Sequence, residues 1–105
     1  MHDGIDIAAD MGVPVHASAA GRVIYAGHGL RGYGNVVILR HDAGTTTLYA
    51  HNEKLKVKVG QWVKQGQVIS LLGSTGHSTG PHVHFEIRKR NVAENPRLLL
   101  AKSRF

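Results

Sequence analysis

Apolar and polar residues change places at every second position along His82-Val83-His84-Phe85-Glu86-Ile87-Arg88. That is the period of a β-strand, whose successive side chains face opposite ways. Val83, Phe85 and Ile87 then form a core side, while His82, His84 and Glu86 share the other. Four further short runs, GRVIYAG (21–27), NVVILRH (35–41), TTTLYAH (45–51) and QVISLLG (67–73), are rich in β-branched or aromatic residues and each predicts a strand. The same alternation in 45–51 puts His51 on the face of Tyr49 and Thr47. Asp42-Ala43-Gly44 links the second and third runs as a hairpin. Lys-x-Gly-Gln occurs twice in succession, in KVGQWV (58–63) and KQGQVI (64–69), and predicts two tight turns. Only RLLLAKSRF, after Asn95-Pro96, is compatible with a helix. The fold class that follows is mainly β, in a single domain.

Composition narrows this picture. A chain of 105 residues has length for one hydrophobic core and no second one, and 42% hydrophobic against 19% charged residues is a globular balance. Thirteen Lys and Arg against seven Asp and Glu give a net charge of +6, which favours anionic surroundings without choosing among them. The clusters at Lys54, Lys56, Lys58 and Lys64 and at Arg88, Lys89, Arg90, Arg97, Lys102 and Arg104 read as solvated faces, with a partner-binding surface as the alternative. No helix-turn-helix pattern and no aromatic-rich RNA-binding strand accompanies the charge, which argues against a nucleic-acid partner. No apolar run reaches the roughly 18 residues of a membrane span, so no transmembrane segment is expected in this stretch. Cysteine is absent, so a metal here must be held by His, Asp or Glu. VGQWVKQGQVI resembles the half-motifs of lipoyl and biotinyl carrier domains, but the Met-Lys that carries their cofactor is missing.

The candidate chemistry lies in the histidines. On a strand the Cα atoms of His82 and His84 stand roughly 6.6 Å apart, too far for a direct hydrogen bond and suited to one metal ligand beside one catalytic group. HDGID at the start offers His2 and Asp6, and TLYAH offers His51. Zinc takes neutral imidazole and carboxylate, and its catalytic sites keep three protein ligands and one open position. His2, Asp6 and one member of the His82/His84 pair make such a set. Glu86, on the same face, either orients an imidazole from behind or pairs elsewhere. The glycines of GSTGHSTGP would let substrate backbone approach closely and Tyr33 would line a groove; His16, His28, His41 and His77 read as loop or strand-end residues without chemistry, His77, nearest the site, being the one exception that a substrate contact would make.

Taken in order, HDGID, GRVIYAG, GYGNVVILRH, TLYAH, VGQWVKQGQ and GSTGHSTGPHVHFE resemble the peptidase M23 family, the lysostaphin or LytM-like zinc metallopeptidases. The resemblance implies an antiparallel β fold with a groove across the sheet, zinc bound by His2, Asp6 and His84, and catalytic roles for His51 and His82. It leaves open which of those two is the general base. It implies hydrolysis of peptide bonds in peptidoglycan stem or cross-bridge peptides, in the periplasm or outside the cell. Asn52 stands where many active members have leucine, as in the NlpD-type branch. Some members of that branch have lost zinc ligands and instead activate cell-wall amidases, so the alternative is a non-catalytic regulator with an amidase or cell-division partner. Family domains usually carry residues ahead of the first ligand, so 1–105 is expected to be one such domain within a longer protein.

Overall fold

The computed structural model describes residues 4–76, 80–89 and 92–94. Among them are nine strands: β1 (Gly4–Ala8), β2 (Pro14–His16), β3 (Gly21–Gly27), β4 (Asn35–Asp42), β5 (Thr45–Leu55), β6 (Trp62–Val63), β7 (Val68–Leu72), β8 (His82–Lys89) and β9 (Val92–Glu94). They form one sheet, in the order β1-β8-β5-β4-β3-β6, with β7 paired to β5 and β2, and β9 paired to β8. Every pairing is antiparallel. The five sequence-predicted strands all form, and the expected hairpin joins β4 to β5, closed by a Gly44 N–H to Asp42 Oδ1 bond of 2.9 Å. Both Lys-x-Gly-Gln repeats turn in the same way. In each, the glutamine N–H donates to the lysine carbonyl at 3.1 Å and its side-chain oxygen accepts the lysine N–H, at 3.2 Å and 3.0 Å. The segment expected to be helical, after Asn95-Pro96, lies outside the described residues.

The alternation along β8 is realised as expected. Val83, Phe85 and Ile87 enter the main core with Val23, Val37, Leu39, Tyr49, Val63 and Ile69. The other face carries a smaller cluster of Val36, Leu48 and Ala50, with Tyr25, Leu30, Tyr33 and Ile38 packed against it. Burying apolar area on both faces is the main favourable term for so small a domain. Polar burial is matched by bonding: no buried side-chain nitrogen or oxygen among the described residues lacks a partner.

The longest strand, β5, changes partners partway along. It pairs with β8 from Thr45↔Lys89 to Ala50↔His84, and with β7 from Asn52↔Leu72 onwards. His51 lies at the changeover and is the one non-glycine residue with positive φ among the described residues, at 65°. Here the sequence expectation fails. Strict alternation sets His51 beside Tyr49, which faces the main core opposite Phe85. The left-handed residue interrupts the period, and the ring emerges on the opposite face, 4.8 Å from the His82 ring and 6.2 Å from that of His84.

Candidate functional site

Three neighbouring strands supply the site. Antiparallel partners share a face, and the register sets Asp6 of β1 and Ala50 of β5 on either side of His84 of β8, with Ala8 beside His82 and Gly4 beside Glu86. Asp6 and His84, 78 positions apart in sequence, meet at 2.8 Å between Oδ1 and Nδ1. The same Oδ1 lies 3.5 Å from Nε2 of His82. His51 enters from the β5 changeover. The pair on β8, Asp6 and His51 thus come together. His2 and His77 lie outside the described residues, and among the described residues no three His, Cys, Asp or Glu groups are gathered closely enough to hold a metal.

Hydrogen bonds assign the ring nitrogens. A carbonyl can only accept, so the 2.6 Å contact of His51 Nδ1 with Thr75 O and the 2.9 Å contact of His82 Nδ1 with Gly80 O place the proton on Nδ1 of both rings. Nε2 of His82 faces the Asp6 carboxylate at 3.5 Å. His51 is buried, and desolvation lowers its pKa below the ordinary imidazole value, with the Thr75 carbonyl acting in the opposite sense. It is therefore a neutral proton acceptor near pH 7.

His84 has the opposite setting. Its Nε2 faces Glu86 Oε2 at 2.8 Å while Nδ1 faces Asp6, and the bond to Glu86 is the main cause of a raised pKa. The Glu86 side chain is fully buried, yet four bonds reach it. His84 contributes one, Tyr33 Oη donates to the same oxygen at 3.0 Å, and Arg88 binds Oε1 through Nε at 2.7 Å and Nη2 at 2.6 Å. Burial works to raise the Glu86 pKa, but these partners outweigh it and hold the carboxyl below its ordinary value. Glu86 thus both orients an imidazole and pairs with Arg88. Tyr33 also packs on the His84 ring, with centroids 6.0 Å apart.

These residues fit a zinc ion in donor chemistry. An ion needs a lone pair on Nδ1 of His84, and an Nε2–H donated to buried Glu86 leaves one there, facing the Asp6 carboxylate. An open cavity of about 310 Å³ lies alongside, lined by Asp6, Ala8, Gly80, Pro81 and His82. His16 and His41 are structural, as expected: His16 donates to Gly66 O at 2.8 Å, and His41 bridges Ala20 O and Thr47 Oγ1, each at 2.7 Å.

Sequence reasoning overlooked Thr75 and the loop contact behind it. Gly34 and Gly76 both have positive φ, and their backbones touch: a Cβ on Gly34 would stand 2.5 Å from Thr75 C and 2.7 Å from Gly76 N. Only glycine permits both the conformation and the approach. The glycines in GYGN and GSTG were the signal available.

Comparison with known proteins agrees with this geometry. The model of Peptidase family M23 matches residues 1–96. The chain is 46% identical over 93 residues to the uncharacterized lipoprotein YgeR of Escherichia coli, and 48% identical over 93 residues to the murein hydrolase activator NlpD of the same organism. It is 48% identical over 96 residues to the DD-carboxypeptidase/endopeptidase Mpg of Neisseria meningitidis. These alignments cover 89%, 89% and 91% of the chain, but only 37%, 24% and 22% of the relatives' lengths. Among solved structures, the catalytic domain of the antimicrobial peptidase lysostaphin from Staphylococcus simulans superposes with a TM-score of 0.89 at 39% identity, over 96% of this chain and 80% of that one. A zinc containing peptidase from Vibrio cholerae gives 0.84 at 42% identity, over 89% and 28%. Matched from end to end of its sheet by sequence and by fold, the chain belongs to peptidase family M23.

Proposed function

We propose that this domain is a zinc-dependent endopeptidase that cleaves peptide bonds in the stem or cross-bridge peptides of peptidoglycan, in the cell envelope. The observation that carries the reading is the convergence of Asp6 and His84 at 2.8 Å with two Nδ1-protonated imidazoles, His51 and His82, beside them. Asp6 and His84, with His2, are the residues that would hold zinc. Bound there, the ion would lower the pKa of water toward neutrality and polarise the scissile carbonyl.

The chain's own residues supply the rest. Nε2 of one of the two rings, His51 or His82, takes the proton of the attacking water and passes it to the leaving amine, while the other ring, protonated at Nε2 as well, donates to the carbonyl oxygen as charge develops there. Both imidazoles are pre-aimed by backbone carbonyls, and Glu86 fixes the tautomer of His84. The cavity bounded by Asp6, Gly80, Pro81 and His82 receives the peptide next to the scissile bond. The lipoprotein names among the relatives support an envelope location, reached by the parent protein of which this domain would be one part.

A second reading is favoured by the relatives named as murein hydrolase activators: the same groove would bind a cell-wall amidase without cleaving anything itself. The two readings separate on one experiment. Purified protein loaded with zinc is incubated with isolated peptidoglycan, alongside His82→Ala. The hydrolase reading expects peptide fragments from the wild type and a loss of about 10²–10⁴-fold in the variant, the usual contribution of a general acid–base group. No fragments from zinc-loaded wild type, with stimulation of an added amidase, would establish the regulator instead.

A further inference from the structure

The geometry points to Asn52 as the positioning residue that throws His51 onto the site face, a conclusion whose kinetic consequence rests on the hydrolase reading above. His51 would lie among core residues if β5 kept its alternation, and a bend at φ 65° brings it out. A non-glycine residue in that region is strained and persists where its surroundings over-determine it. Asn52 supplies that constraint from beneath. Its side chain is completely buried, and Nδ2 donates to Tyr49 O at 2.8 Å, spanning Ala50 and His51 and closing the bend. The same nitrogen donates to Asn35 O on β4 at 2.9 Å, while Oδ1 accepts from the buried Ser70 hydroxyl on β7 at 2.7 Å. The carboxamide therefore ties together the three strands that meet where β5 leaves β8 for β7.

The imidazole itself is then gripped from above. His51 N–H donates to Tyr33 O at 2.8 Å, Nδ1–H donates to Thr75 O at 2.6 Å, and Thr75 Oγ1 donates to Asn52 O at 2.7 Å. Among the described residues, the ring nitrogen with no hydrogen-bond partner is Nε2. A leucine in place of Asn52 could make none of the three carboxamide bonds and would leave the Ser70 hydroxyl without its acceptor, so this chain holds His51 through a polar device specific to asparagine.

Asn52→Asp tests this directly: a carboxylate still accepts from Ser70 but cannot donate to Tyr49 O or Asn35 O. Two readouts are taken on folded, metal-free protein by NMR: the ¹⁵N shifts that report the His51 tautomer, and the cross-relaxation between the His51 and His82 rings. The wild type is expected in the Nδ1–H form with a strong ring-to-ring signal; in the variant the signal is lost and the tautomers mix. With a soluble cross-linked muropeptide and zinc, kcat is expected to fall about 100-fold with KM little changed, the scale of a group misplaced by about 1 Å. Ser70→Ala removes one bond of the three and is expected to shift both NMR signals in the same direction; it decides the matter if Asn52→Asp does not fold. Either variant, folded and with His51 still Nδ1-protonated against His82, overturns the assignment. A wild type that cleaves nothing defeats the hydrolase reading, yet leaves the NMR result to judge Asn52.

Discussion

Glu86 shows how much one buried carboxylate does at the residue scale. Without it, Nε2 of His84 would lose its acceptor, and Arg88 and Tyr33 would lose a shared anchor. Glu86→Gln keeps the shape but removes the charge, and is expected to weaken zinc binding by about 10–100-fold, measured by competition with a chromophoric chelator. The two imidazoles on either side of the site should titrate in opposite directions in metal-free protein. His84, raised chiefly by Glu86, should show its NMR midpoint above 6.5; His51, lowered by burial, should show it below. The stability that His84 contributes is complete below its unfolded pKa and is lost as pH rises through the folded value. For His51, stability is lost as pH falls from 6.5 toward the folded value. Midpoints on the same side of 6.5 would contradict the hydrogen-bond assignment.

At the scale of elements, the chain announced β8 clearly, because both faces of that strand are spoken for. Three apolar residues claim the core, and the three polar ones between them have nowhere else to point. β2 and β6 were illegible for a physical reason: at three and two residues they are too short for periodicity to register, while β1, as long as β7, lay in a stretch read for its candidate ligands and not for its alternation. Residue types reached His2, Asp6 and one of the pair His82 and His84, and only the family resemblance singled out His84; the meeting of Asp6 with His84 depends on β1 docking along β8 at the far end of the sequence. The side of His51 was the misreading. No local pattern reports a bend held where Asn52 bonds to Asn35, Tyr49 and Ser70 on three strands. The loops behind that bend carry their own prediction. Gly34→Ala forces both a left-handed alanine and a clash with Thr75, and should lower stability by at least about 1–3 kcal/mol in denaturant unfolding while shifting the His51 ring signals.

On the scale of the whole molecule, the site and the sheet are one object. Its acid comes from the first strand and its histidines from the fifth and eighth, so the proposed ligands Asp6 and His84 are brought together only when the sheet forms. A metal that binds the folded state alone must then stabilise it, by about 2.7 kcal/mol at a free concentration of 100 times Kd. Thermal unfolding should move upward with added zinc and back with chelator, and Asp6→Asn should abolish most of that shift. The net charge of +6 fits an anionic wall, though it acts on encounter rather than on chemistry.

The most direct test is mass analysis of muropeptides after incubation with the zinc-loaded protein, because it detects cleavage and identifies the bond in one spectrum. Fragments whose masses sum to the parent muropeptide plus one water per broken peptide bond, absent with chelator and with His82→Ala, are the predicted result. An unchanged muropeptide profile from protein shown to carry one zinc would contradict the account.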